Sequence, residues 1–371
     1  MTTQKLMNLQ YLINQQTQLL QDHFYMARLM MGDEFQDVLE NTANKLGDIR
    51  QQILKMGLGY HNIGLIPRHV SELEHREEAD TSIEFAGVKL TIPLIASPMP
   101  DVCDGKMAKK LFQLGSYGFI HRFWGIEKQA KEFVISEGNC GCAIGIKDDY
   151  KERFQELKSL GCKSFVIDIA NGANKRVEKV INEIYENDIY LTVGNVASKQ
   201  CFEWLTQFPI HAVRVGISGG SACSSRTETG IFHPPVSLLL EIAELQCKKP
   251  LIIADGGINE PQDLCKSIIF NSSVCMAGGV FAATEESPGQ IIKTNSELYK
   301  IYRGAASFST QQLMKQEKPE YVEGAEKLIP YTGSVEKVIK RFRNGLRSSM
   351  SYMNARNLDE YKKNSYWCII S

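Results

Sequence analysis

Eight short runs of almost wholly apolar residues, separated by helix-length segments, constrain the fold more than any other feature of this chain. They span 93–99, 117–121, 142–146, 164–169, 190–196, 212–217, 250–254 and 272–276. A strand with one wet face alternates apolar and polar side chains. A run that is apolar at nearly every position is buried on both faces, as in a parallel sheet covered by helices. The segments between the runs carry the helical period. Phe154, Leu157 and Leu160 recur along 149–160, and Val177, Val180, Ile181 and Ile184 along 174–185. Gly138 and Gly161 stand where helices should stop. Eight strand–helix units in one unbroken series predict an α/β fold, a closed (β/α)8 TIM barrel. An open doubly wound sheet is the rival, but it would need a topological break that the series lacks.

In such a barrel, chemistry gathers at the C-terminal ends of the strands. Here those ends read Ser97-Pro98-Met99, His121-Arg122, Asp168 followed by Ala170-Asn171-Gly172, Gly194-Asn195, Asp255-Gly256-Gly257 and Gly278-Gly279. An aspartate there can accept two hydrogen bonds from a ribose diol. A glycine pair that opens a helix can bind phosphate through free N–H groups. Any one glycine pair is more often a tight turn than a ligand site. Their coincidence at successive strand ends favours a phosphorylated ligand.

The sixth run ends in Gly219-Gly220-Ser221-Ala222-Cys223-Ser224-Ser225-Arg226-Thr227-Glu228-Thr229-Gly230. Glycines ahead of a cysteine let its thiol stand at the rim, and a thiolate there is a nucleophile for an electrophilic carbon. A buried, inert cysteine is the commoner fate of the residue, but the polar residues after Cys223 oppose burial.

Composition excludes several other classes. A formal net charge of −1 gives no electrostatic case for nucleic acid or a membrane surface. No apolar run approaches the ~20 residues that span a bilayer, and the chain starts without an apolar signal core. The 10 cysteines follow no disulfide or zinc pattern, so a reducing, cytoplasmic setting is expected. Residues 1–56 differ from the rest, with Leu9, Ile13, Leu19, Leu20, Phe24, Met30 and Met31 at helical spacing. They are expected to form a helical N-terminal extension, leaving 57–371 as the barrel domain.

The rim strings resemble those of the IMP dehydrogenase and GMP reductase family, over roughly residues 58 to 356. They include IASPM (95–99), GFIH (118–121), IDIANG (167–172), VGNVAS (193–198), GGSACSSRTETG (219–230), IADGGI (253–258), AGGVFAATEESPG (277–289) and YRGAAS (302–307). Within the family, the frame Cys223-Ser224-Ser225-Arg226, then two residues and Thr229-Gly230, is similar to the Cys-Thr-Thr-Arg frame of the reductase branch. Asp168-Ile169-Ala170-Asn171-Gly172 is similar to that branch's Asp-Val-Ala-Asn-Gly. The dehydrogenase branch has an Arg-Tyr flap, whereas no arginine lies between Ser307 and Glu323. It also has inserted regulatory modules, for which the spacing from Arg122 to Gly138 leaves no room.

The resemblance implies reductive deamination of GMP to IMP and ammonia with NADPH, through a covalent thioimidate on Cys223. It implies Ser225 and Glu286 as the acid machinery. Ser97, Met99, Ser221, Asp255, Gly256, Gly257, Gly278, Gly279, Tyr302 and Ser307, with the Ala305-Ala306 backbone, would bind the nucleotide. Asp168, Asn171 and Gly172 would meet the cofactor. The carbonyls of Ser218, Gly220 and Cys223 would hold a monovalent cation, K+. A homotetramer is implied as well.

Three departures from the family pattern stand at Met99-Pro100-Asp101-Val102, where the acid is displaced by one, at His121-Arg122 where His-Lys is usual, and at Ser218 where glycine is usual. They admit dGMP or a modified purine nucleotide as substrate. The alternatives are an IMP dehydrogenase making XMP with NAD, and a non-catalytic nucleotide-binding barrel that regulates a partner. The tail Cys368-Ile369-Ile370-Ser371 fits a prenylation box, against the plainer reading of a chance tail packed on the protein.

Overall fold

The computed structural model describes residues 57–147, 149–294, 297–313 and 324–370. The expected helices of residues 1–56 lie outside the described residues.

The eight apolar runs form eight parallel strands: β4 (Leu94–Ala96), β5 (Tyr117–Ile120), β6 (Gly141–Ile144), β7 (Ser164–Asp168), β8 (Tyr190–Val196), β9 (Ala212–Val215), β10 (Leu251–Asp255) and β11 (Val274–Ala277). They close in chain order, with β11 pairing back onto β4. The fold is therefore the (β/α)8 barrel. Its all-apolar strands follow from two separate cores. Ile95, Phe119, Ala143, Val166, Ala212, Ile253, Val274 and Met276 fill the inside. The alternate residues, such as Leu94, Ile120, Cys142, Ile144 and Phe165, pack outward beneath the helices. The expected helices appear at Tyr150–Ser159 and Lys175–Ile184, and Gly138 and Gly161 take positive φ just beyond helix ends.

The N-terminal mouth is closed by a hairpin, β2 (Ile83–Phe85) and β3 (Val88–Leu90). Phe85 enters it edge-on to Tyr117 at 5.6 Å and Tyr190 at 5.3 Å. With the bottom plugged by aromatic rings, ligand access is left to the opposite end. At that end a three-stranded antiparallel sheet, β12 (Ile291–Thr294), β13 (Glu297–Arg303) and β14 (Glu326–Pro330), lies beside the opening. Helix Val335–Tyr352 follows and buries Val335, Ile339, Phe342, Leu346 and Met350, one face of a 3.6-residue period.

The chain ends in β15 (Tyr366–Ile369), antiparallel to β1 (Ile63–Ile66), with Cys368 opposite Gly64. Ile370 N–H donates to the Asn62 carbonyl at 2.7 Å. Cys368 is thus part of a strand ladder packed on the protein, an arrangement that favours the plain reading of the tail over the prenylation box. No helix among the described residues is long and apolar enough to cross a membrane.

Candidate active site

A cavity of about 290 Å³ opens at the C-terminal end of the barrel. It is lined from nearly every strand end, including Ser97, Met99, Asp168, Asp255, Tyr302 and the Gly216–Gly220 turn with Cys223.

Cys223 is exposed, with its Sγ 3.3 Å from Ser225 Oγ. Two features hold it there. Its own N–H donates to the Gly220 carbonyl at 3.0 Å, closing a tight turn. A strap from far along the chain then pins the loop. Ala325 N–H donates to the Ala222 carbonyl and Gly304 N–H to the Ala325 carbonyl, both at 3.0 Å. Gly324 bridges Cys223 on one side and Ser307 on the other. The strap must be glycine at this crossing, because a Cβ on Gly324 would lie 2.4 Å from Ser307 N. The cysteine therefore sits in a loop whose backbone is tied on both sides.

The cavity floor is a charge network that the strand patterns did not reveal. Arg214, the one charged residue of β9, is buried and reaches two carboxylates. Its Nη1 pairs with Asp168 Oδ1, and its Nη2 donates to Asp255 Oδ2 at 2.8 Å. Asn195 Nδ2 donates to the same Asp255 oxygen at 2.7 Å and to the Gly216 carbonyl at 2.6 Å. Burial opposes the charge on Arg214, but Asp255 and Asp168 outweigh it and raise its pKa. Gly194 makes room for this arrangement, since a Cβ there would lie 2.4 Å from Arg214 Cβ. Arg122 Nε donates to the Asp168 carbonyl at 3.0 Å and stands 3.9 Å from its carboxylate. Asp255 Oδ1 keeps no protein partner among the described residues, so one acceptor remains for a ligand hydroxyl. The only sequence signal was a lone arginine inside an apolar run.

The expected phosphate-side residues separate into two groups. Tyr302, Met99, Ser221, Gly278 and Gly279 come together. Tyr302 Oη lies 3.8 Å from Met99 Sδ. A Cβ on Gly278 would lie 2.4 Å from that hydroxyl, and one on Gly279 would lie 3.6 Å from Ser221 Oγ. Only glycine leaves space at 278 for anything to reach the tyrosine. Gly256 lines the cavity, whereas Gly257 does not, and a Cβ on it would lie 3.5 Å from the Tyr60 ring.

Four expected residues are placed differently. Glu286 does not line the cavity. Its carboxylate accepts from Ser334 Oγ at 2.8 Å and Val335 N–H at 2.7 Å, so it caps helix Val335–Tyr352. Its negative charge is used at that helix N-terminus. Ser307 is buried, and its Oγ donates to Thr310 Oγ1 at 2.9 Å, whereas the preceding Gly304, Ala305 and Ala306 line the cavity. Asn171 Oδ1 accepts the Ala173 N–H at 3.2 Å in an exposed turn. Gly172 N–H donates to the Asn195 carbonyl at 2.6 Å, which makes it a packing contact between strand ends.

The displaced acid has a clear structural use. Asp101 is 1 % exposed and receives Arg303 N–H at 2.9 Å and Arg303 Nε at 2.7 Å. This pair ties the loop after β4 to the end of β13, and so fixes Tyr302 and Gly304 at the mouth. His121, at the end of β5, is fully buried beside Trp124, 3.9 Å between ring centres. Its Nδ1 accepts the Phe123 N–H at 3.1 Å. Burial, with help from Lys128, Arg153 and Arg122, pushes its pKa down to about 3.

The Ser218, Gly220 and Cys223 carbonyls belong to one loop. Gly220 O already accepts one hydrogen bond, which leaves it one lone pair. No cluster of His, Cys, Asp or Glu suited to a multivalent metal occurs among the described residues. Neutral carbonyl oxygens suit a large monovalent ion instead.

Comparison with known proteins identifies the family. Residues 57–371 match the IMP dehydrogenase / GMP reductase domain family. The chain is 35% identical over 316 residues to a GMP reductase of Lactobacillus delbrueckii subsp. bulgaricus, covering 83% of this chain and 93% of that protein. It is 32% identical over 314 residues to the GMP reductase of Lactobacillus acidophilus, with the same coverage. The GMP reductase of Oenococcus oeni is 31% identical over 316 residues, covering 83% and 95%.

Proposed function

The chain belongs to the IMP dehydrogenase / GMP reductase family, and from that premise we propose that it is a GMP reductase: GMP, NADPH and two protons give IMP, ammonium and NADP. The observation that carries this reading is the Cys223 thiol, 3.3 Å from the Ser225 hydroxyl, in a cavity that also presents Asp255 and Tyr302.

Each residue has a physical part in the reaction. Asp255, its Oδ2 held by Arg214 and Asn195, offers Oδ1 to a ribose hydroxyl. Tyr302, Ser221 and the glycine backbone at 278–279 offer donors to the phosphate. With sugar and phosphate fixed, the purine lies along Met99 and the Ala305-Ala306 backbone, and its C2 meets the thiol. Cys223 Sγ bonds to C2, and the C2–N bond breaks as the amine takes up a proton. The amine must be protonated to leave, and Ser225 is the hydroxyl within reach of the thiol to pass that proton. After the hydride has reached C2, the C–S bond breaks, Cys223 regains its electron pair and IMP departs.

NADPH, when bound, supplies that hydride. The wall formed by Arg122, Phe123, Asp168, Ile169 and Ala170 suits it, because it combines an aromatic and apolar surface for the nicotinamide with a carboxylate for its ribose. A monovalent cation on the Ser218, Gly220 and Cys223 carbonyls would order the cysteine loop, and no step depends on it. Glu286, whose carboxylate accepts from Ser334 Oγ and Val335 N–H, is given no step in this scheme.

The test is NADPH consumption by purified protein offered GMP, dGMP or a modified guanine nucleotide, with IMP and NAD as the opposite arm. Consumption with a guanine nucleotide supports the reductase. NADH formation from IMP and NAD, with none of the first reaction, would mark a dehydrogenase. No turnover in either arm, with nucleotide still bound, would mark a non-catalytic barrel.

A further inference from the structure

We propose that Lys327 is a ligand of the substrate's phosphate and supplies the positive charge that the rest of the cradle lacks. This rests on the purine-nucleotide reading above.

The expected cradle residues Ser221, Gly278 and Gly279 group around Tyr302, which lines the cavity, and offer hydroxyls and backbone N–H groups but no cation. A 5′-phosphate carries nearly two negative charges at neutral pH, and charge-assisted bonds are roughly twice as strong as neutral ones. Most cationic side chains at this mouth are already committed. Arg214 is held by Asp168 and Asp255, Arg122 stands on Asp168, and Arg303 is held by Asp101. Lys327 differs. Its ammonium donates to the Ser221 carbonyl and meets no carboxylate at ion-pair distance among the described residues.

Its position follows from the strand register. Lys327 on β14 pairs with Tyr302 on β13. Residues paired across an antiparallel ladder project from the same face. Tyr302 is buried with its hydroxyl against Gly278, so Lys327 leaves the sheet on the side that faces the cradle. The Ser221 carbonyl that it meets belongs to the residue whose Oγ lies nearest Gly279. A lysine on a flexible stem, resting on a backbone carbonyl, can swing to an arriving anion at little cost. A compact ammonium is also well suited to a phosphate as a point charge.

The experiment measures equilibrium binding of GMP and of guanosine by calorimetry to wild type, Lys327→Met and Lys327→Arg, at low and high salt. It needs no turnover. The expected result for Lys327→Met is a GMP affinity roughly ten-fold weaker at low salt, a smaller difference at high salt, and guanosine affinity unchanged. Lys327→Arg should recover most of the loss. In steady-state assays KM for GMP should rise with kcat nearly constant. Equal GMP affinity in wild type and Lys327→Met overturns the assignment and leaves the reductase reading standing. Equal weakening of GMP and guanosine also overturns it, because it marks a structural role for the Ser221 contact. Failure of wild type to bind any guanine nucleotide overturns the functional reading and this assignment together.

Discussion

Arg214→Met removes the centre of the charge network, leaving Asp255 without a cation and Asp168 with only Arg122, 3.9 Å from its carboxylate. The size of the effect follows from burial. The Arg214 side chain is 8% exposed, and its partners are 13% and 15% exposed, so water screens little of the interaction. Breaking a buried pair by deleting one partner costs about 3–5 kcal/mol, because the orphaned charge stays buried. At about 2–4 °C per kcal/mol for a large domain, the melting temperature should fall by roughly 10 °C. Arg214→Lys should recover only part of this, since one ammonium cannot span two carboxylates as a planar fork does. Adding Asp168→Asn to Arg214→Met removes one of the two freed carboxylates and should return part of the loss. Thermal melts of the single and double variants form a mutant cycle. A loss under about 1 kcal/mol for Arg214→Met, or strict additivity with Asp168→Asn, would refute the network as the support of the cavity floor.

Two other variants test separate parts of the account. His121 has a folded pKa of about 3, against about 6.5 when unfolded. The unfolded chain therefore takes up a proton as pH falls below about 6.5 while the folded one does not, and stability is lost with acid. Between pH 6.5 and 5 this is about 2 kcal/mol. His121→Asn, which keeps an acceptor for the Phe123 N–H, should show a flatter dependence of melting temperature on pH over that window, and parallel curves would contradict it. Glu286→Gln should leave kcat within about two-fold of wild type while lowering stability by about 1 kcal/mol through the weakened helix cap. A large loss of kcat in a fully folded protein would return Glu286 to the chemistry.

The barrel was legible because burial on both faces erases alternation, and eight such runs in series have few other ways to pack. The Cys223 loop was legible because glycines crowd a strand end that also carries a thiol. Other parts depend on where side chains point, which residue type and spacing do not state. Glu286 stands in a plausible acid position along the chain, yet it turns to the start of the helix at Val335. Ser307 follows the two alanines that face the cavity, but its hydroxyl turns inward to Thr310. Arg214 is the one charged residue within its apolar run, and its two partners lie on strands that only barrel closure brings near. The strap at Gly324 crosses a loop about a hundred residues earlier, a contact for which local pattern holds no signal. The displaced Asp101 read as a departure, and its use appeared only with Arg303 beside it.

The central claim is that Cys223 attacks the purine of a guanine nucleotide. Its most direct test is single-turnover reaction of wild type and Cys223→Ala with GMP and NADPH, quenched in acid and analysed by peptide mass alongside IMP and ammonia. The expected result is IMP, ammonia and NADP in equal amounts from wild type, a purine-nucleotide adduct on the peptide carrying Cys223, and neither product nor adduct from Cys223→Ala. Turnover that survives in Cys223→Ala, or an adduct on another residue, would contradict the account.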